Sequence, residues 1–265
     1  MRVNLMNPVC SPKMVRAAVS ALKTERFLRG KSVEEFEREF AQYVGSKHAI
    51  AVNNGTMALV MSMVALGIKK DDHVMTTPAS FIATANAILF VGAKPVFVDI
   101  DAKTNNIDPA RVEEEILKHE GRIKAIMPVH LYGHPAEMDS LSQIAQRHNV
   151  KIIEDACQAH GARYKGRGAG SIGDAGAFSF YPSKNLTVCG DGGMVTTNSQ
   201  DVAERVQSLR ENGRTKDNQY LHQYIGFTGR LNTANAAIGR VQLSELEKWN
   251  EKRRRNARRY SRGLK

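Results

Sequence analysis

From residue 48 onward the chain alternates short apolar runs with helix-length segments, and few folds accept that order. HAIAV (48–52), HVMTT (73–77), KPVFVDI (94–100), IKAIMPVH (123–130), KIIEDAC (151–157), AGAFSFY (175–181) and GGMVTTN (192–198) are rich in β-branched residues or bounded by turn residues, as strands are. Between the first five lie TMALVMSMVALG, FIATANAILFVG, DPARVEEEILKHEG (108–121) and MDSLSQIAQRHN, each long enough for a helix. This repetition predicts an α/β fold in three layers, a mostly parallel sheet with helices on both faces. Two helical segments precede the first strand, of which SVEEFEREFAQYVG has the clearer apolar face, and further helices are expected near 200–212 and 232–249.

The 265 residues suffice for one large α/β domain, or for one domain and the start of another. Hydrophobic residues at 42% and charged residues at 25% argue against disorder. The opening MRVNLMNPVC has no apolar h-region, which argues against a signal peptide, and the longest apolar stretch (58–66) is too short to span a bilayer. Cys10, Cys157 and Cys189 are odd in number and widely spaced, so they fit neither a disulfide framework nor a zinc site and suit a reducing cytoplasm. The net charge of +11 is concentrated: residues 248–265 hold nine Lys or Arg and one acid, leaving only +3 for the rest. Such a tail reads as a solvated helix face rather than a nucleic-acid-binding arm, because its basic run after Trp249 lacks aromatic interleaving beyond Tyr260 and no binding module accompanies it.

In open α/β sheets, ligands gather where strand C-terminal ends meet helix N-termini, and the unusual residues fall there. Gly55 and Thr56 stand at a strand-to-helix turn, where free amides and the helix dipole hold anions. Asp155 ends an apolar strand with Gln158 just beyond, Ser179 lies in AGAFSFY, and Lys184 follows in the next loop. Taken singly, each has an ordinary explanation: a capped helix start, a capping carboxylate, a surface lysine. Together they meet the needs of pyridoxal 5'-phosphate (PLP): a phosphate cup, an acid for the pyridine nitrogen, a ring-stacking group and an amine for covalent attachment.

The wording NNGTMAL, TTPASFIATANAI, PVFVDID, PVHLYGH, IIEDACQAHGA, GDAGAFSFYPSKNLTVCGDGGM and AAIGRVQL, in that order, resembles the DegT/DnrJ/EryC1/StrS sugar aminotransferases of PLP fold type I. The resemblance runs over nearly the whole chain, to about Leu243, and implies a PLP-transferase large domain. By it, Lys184 matches the lysine that holds the cofactor covalently and then moves a proton as a neutral amine. Asp155 matches the acid that keeps the ring nitrogen protonated, and Gln158 the residue beside the phenolic oxygen. Phe81 matches the aromatic stacked on one ring face, with Ala156 and Cys157 near the other; a plain core aromatic is the competing reading of Phe81. Ser179, Gly55 and Thr56 match the phosphate cup, and no metal is expected.

The implied reaction passes an amino group, from glutamate as the usual donor, to a nucleotide-linked keto sugar. Relatives that remove a sugar hydroxyl carry histidine at the position of Lys184, so lysine points to transamination. A dehydratase or ring-modifying enzyme and a non-catalytic PLP-fold protein remain the alternatives. Many relatives read Gly-Tyr-Asn-aromatic-Arg where this chain has Gly226-Phe227-Thr228-Gly229-Arg230. Thr228 there replaces an asparagine that reaches a neighbouring subunit's cofactor phosphate, and Arg230 reads equally as an ion pair or a phosphate contact. Family active sites are shared between subunits, which implies a homodimer. Relatives continue into a C-terminal small domain, most of which this chain is expected to lack by its length, so residues 1–247 are expected to form the large domain and 248–265 the basic start of a truncated one, or a linker helix. The face around Val241, Leu243 and Leu246 is accordingly expected to be exposed.

Overall fold

The computed structural model describes residues 7–119, 121–218 and 220–264. Glu120 of the expected helix at 108–121, and the outer bounds Met1 and Lys265 of the expected division, lie outside the described residues. Two helices come first. Helix α1 (Pro12–Thr24) starts at Ser11, whose hydroxyl accepts the Met14 amide at 3.4 Å, and α2 (Lys31–Val44) is ended by left-handed Gly45. Then follow β1 (His48–Val52), α3 (Gly55–Ala65), β2 (His73–Thr76), α4 (Ala83–Phe90), β3 (Lys94–Phe97), α5 (Pro109–Lys118), β4 (Ile123–Ile126), α6 (Met138–His148) and β5 (Lys151–Asp155). A small hairpin, β6 (Arg163–Tyr164) and β7 (Arg167–Gly168), precedes β8 (Ala175–Ser179), β9 (Gly193–Thr197), α7 (Gln200–Leu209) and α8 (Thr233–Gly263).

The seven main strands stand in the order β1-β9-β8-β5-β4-β2-β3. The five from β8 to β3 are parallel, and β9 runs antiparallel to both β8 and β1, so the sheet is mostly parallel as the alternation predicts. Alternate side chains of each strand go to opposite layers. Ile50, Ile153, Ala177 and Val195 pack with α3, α4 and α7 on one face. On the other, Ala51, Phe178 and Met194 pack with α2 and α8, and Ile126 and Ile152 with α5 and α6. Burial on both faces is why the strands read as continuous apolar runs rather than as alternating ones.

The last helix keeps the solvated face expected of its basic end but departs from expectation where it packs. It runs unbroken to Gly263, well past the end of its apolar stripe, and its exposed length is laced by Arg254 to Glu251 at 2.9 Å and Arg258 to Glu251 at 2.8 Å. Leu243 and Leu246, by contrast, are buried rather than exposed. They close onto Val33, Phe36 and Phe40 of α2, while Gln242 donates from its Nε2 to the Val9 carbonyl at 3.0 Å, so the N-terminal helices cover the face. No helix among the described residues is long and apolar enough to cross a membrane.

Candidate active site

The parallel strands all end on one side of the sheet, and a cavity of about 430 Å³ opens there. It is lined by seven residues singled out in the sequence: Gly55, Thr56, Phe81, Asp155, Gln158, Ser179 and Lys184. The turn after β1 supplies one wall. Asn54 caps α3 by accepting the Met57 amide at 2.8 Å, and the amides of Gly55 and Thr56 fall in the first turn, where a helix leaves N–H groups without internal partners. A Cβ on Gly55 would stand 2.6 Å from Ser179 Cβ and 3.1 Å from Cys157 Sγ, so only glycine lets this helix start sit against the end of β8. Two hydroxyls, two free amides and the positive end of the helix dipole make a cradle suited to a phosphate.

Strand β5 ends in two consecutive acids that point to opposite sides of the sheet. Asp155, 5% exposed, faces the cavity; its Oδ2 accepts the Thr84 hydroxyl at 2.7 Å and its Oδ1 the Cys157 amide at 3.2 Å. Because Thr84 donates to Asp155, its oxygen accepts from Ser80 at 2.7 Å, and a hydroxyl chain reaches from the rim to the buried carboxylate. Glu154 faces the other way and is fully buried. It accepts His130 Nε2 at 2.8 Å and the amides of Gly170, Ile172 and Gly173 at 2.7–2.8 Å. His130 Nδ1 accepts the Ala136 amide at 3.1 Å, which leaves Nε2 to donate. Burial pushes the Glu154 carboxyl up, but the His130 hydrogen bond and the two glycine amides more than reverse this, leaving it below its ordinary range.

Lys184 is half-buried in a turn closed by its own amide on the Tyr181 carbonyl at 2.8 Å, and among the described residues no carboxylate lies within salt-bridge distance of its amine. Gln158 Oε1 accepts the amide of left-handed Tyr132 (φ 53°) at 3.0 Å, which leaves the Gln158 amide group free to donate into the cavity. Phe81 is 66% exposed at the rim, which removes the reading of it as a core aromatic. Burial, then the Asp155 charge, hold the Cys157 thiol well above its usual range, so it packs as a neutral side chain.

Thr228 and Arg230 are not brought to this cavity. Thr228 is exposed and donates to Asn212 Oδ1 at 3.1 Å. Arg230 Nη1 donates to Glu211 Oε2 at 2.9 Å, an ion pair that Glu211 shares with Arg29. Thr84 and Ser80 are among the site residues the sequence reading did not single out, as are Asn54, Tyr181, Ser183 and Asp191 on the lining. The signal for the first two was the four-residue spacing in SFIAT, which puts both hydroxyls on one side of a helix start.

A mostly parallel sheet whose strand ends gather a helix N-terminus, a buried acid and a lysine is the large domain of a PLP-transferase. The chain belongs to the DegT/DnrJ/EryC1/StrS aminotransferase family, whose pattern matches residues 10–265. It is 45% identical over 218 residues to the GDP-perosamine synthase of Caulobacter vibrioides, covering 82% of this chain and 58% of that protein. It is 43% identical over 248 residues to the dTDP-3-amino-3,4,6-trideoxy-alpha-D-glucose transaminase of Streptomyces venezuelae, covering 94% and 64%. Among solved structures it is similar to S. venezuelae DesV in complex with a ketimine intermediate, with a TM-score of 0.90 and 42% identity, covering 95% of this chain and 66% of that one. The chain thus spans about three fifths of the length of the two curated relatives named.

Proposed function

We propose that this chain is a PLP-dependent aminotransferase that moves an amino group, with glutamate as donor, onto a nucleotide-linked keto sugar. The observation that carries the reading is the convergence of the α3 start, the Thr84-held Asp155 and the amine of Lys184 on one cavity. When bound, PLP supplies a ring that takes up the electron pair freed as a C–H bond beside nitrogen breaks. The protein's part is to place and feed that ring. Gly55, Thr56 and Ser179 hold the phosphate. Asp155 would pair with the ring nitrogen, Phe81 would cover one ring face, and Gln158 would donate toward the phenolic oxygen. Lys184 would attach the cofactor covalently and, as a free amine, would accept and return the proton the reaction moves. The sequence similarity to the two nucleotide-sugar enzymes supports the acceptor class.

In this reading residues 1–247 are the cofactor-binding domain and 248–265 the basic start of a further domain or a linker helix, whose first turn still packs on the cofactor-binding domain through Asn250. Thr228 serves the cavity of a second copy, which makes the working unit a homodimer. Its support is that Thr228 and the exposed Leu221, Tyr224 and Ile225 stand away from their own cavity. Three free thiols support a cytoplasmic setting. The test is the half-reaction: protein loaded with PLP and given glutamate should release one equivalent of 2-oxoglutarate per site. Retention of PLP with no 2-oxoglutarate formed would leave a binding protein and end the aminotransferase reading.

A further inference from the structure

Among the polar side chains that helix α8 buries, Asn250 is the one that meets the segments carrying Asp155 and Lys184. Asn250 is 6% exposed. Its Nδ2 donates to the His160 carbonyl at 2.8 Å, in the segment that leaves Asp155. Its Oδ1 accepts Asn185 Nδ2 at 3.3 Å, on the residue after Lys184, and Arg253 Nη1 at 3.1 Å. The fit is close. Gly161 has φ +84°, and a Cβ there would stand 2.6 Å from Asn250 Nδ2, so the segment after β5 is shaped to admit this carboxamide. His160 is 3% exposed and packs its ring 5.6 Å from that of Phe178 and 5.9 Å from that of Phe180. Burial, then the charge of Lys184, push its pKa down to about 3, which keeps the ring neutral beneath the lysine.

We infer that Asn250 is a positioning residue, whose carboxamide ties the Lys184 loop to the segment leaving Asp155 and so fixes the amine relative to the carboxylate. The inference rests on the proposed cofactor chemistry for its consequence, though not for its geometry. An asparagine suits the task because one side chain both donates and accepts, and can bridge a carbonyl and an amide group at once. The bonds to His160 and Asn185, buried and part-buried, stand on the protein side of the loop, so they hold it before any substrate arrives. Alanine at 250 would leave the His160 carbonyl and the Asn185 amide group without their partner and free the loop to sample other positions.

The experiment measures covalent capture of PLP by Lys184, trapped with borohydride at a series of PLP concentrations. In Asn250→Ala the first-order capture rate at saturation should fall about ten-fold, the scale of a lost buried hydrogen bond, while half-saturation stays at the parent value because the phosphate cradle is untouched. Asn185→Ala, a milder change on a half-buried loop residue, should show the same split to a smaller degree. A purely structural role would lower the melting temperature and leave the capture rate of the folded protein alone. Parent-rate capture in Asn250→Ala or, should that variant not fold, in Asn185→Ala overturns the inference. If the parent itself captures no PLP at Lys184, the functional reading fails, and amide exchange of the Lys184 loop decides the positioning role. Faster exchange in the variant supports it, and unchanged exchange overturns it.

Discussion

Glu154 and Asp155 are neighbours on one strand, yet they build opposite kinds of region. On the Glu154 side every partner is present: an imidazole and three amides surround a carboxylate with no contact with water. On the Asp155 side one hydroxyl and one amide hold the group from behind, and the rest of it faces a cavity with Lys184 on its wall. A buried charge satisfied on all sides is a structural tie, whereas one satisfied on a single side awaits a partner. The fold thus uses the alternation of a β-strand to put a fully satisfied internal tie directly behind its candidate reactive surface.

The largest expected effect falls on the open side. Asp155→Asn should lower transamination by about a thousand-fold or more, the rate equivalent of several kcal/mol, with little change in melting temperature. Activity within a few-fold of the parent would make the two acids equivalent and end the contrast. Glu154→Gln should do the reverse: a loss of about 4 kcal/mol in unfolding free energy by denaturant titration, with near-parent PLP capture in the folded fraction. A stable but inactive Glu154→Gln would assign the chemistry to the wrong side of the strand.

Acid sharpens the same comparison. The Glu154 carboxyl lies below its ordinary 4.5 in the fold, so the stability it contributes is present above that pH and is lost as pH falls through the lower folded value. His160 acts in the same direction over a wider window. Its ring is held down to about 3 from 6.5, so below pH 6.5 the unfolded chain takes up a proton that the folded chain refuses. Between pH 6 and 4 this group alone should drain roughly 2–3 kcal/mol, and His160→Phe should flatten that slope in urea titrations. An unchanged slope in that variant would place the acid sensitivity elsewhere. The smallest effect concerns the tie behind Asp155. Thr84→Val should cost about 1.5 kcal/mol of transition-state stabilisation, roughly ten-fold in rate, at parent stability.

Much of this arrangement was legible in the sequence, because it depends on local patterns. The strand and helix runs follow from side-chain periodicity, and Gly55, Asp155, Ser179 and Lys184 all sit where strands end, which the alternation locates. What escaped depends on contacts distant in sequence. Thr84 meets Asp155 from 71 residues away, and Asn250 meets His160 from 90. Nothing in SFIAT or KWNEK announces those partners. The burial of Leu243 and Leu246 was missed for the same reason, since α2 covers them from the far end of the chain. The basic end of α8 was legible only from its charge, as a solvated helix face. Apolar periodicity marks where a helix packs, whereas its exposed continuation is held by arginine–glutamate pairs that carry no apolar signal.

The central claim is that the cavity beside Asp155 is a PLP site with Lys184 as its covalent anchor. Its most direct test is to incubate the protein with PLP, reduce with borohydride and map the modified peptide by mass spectrometry. The account expects one phosphopyridoxyl group per chain, on Lys184 in the SFYPSKN stretch, and none there in Lys184→Ala. A label on another lysine, or label spread over the many lysines of the surface, would contradict it.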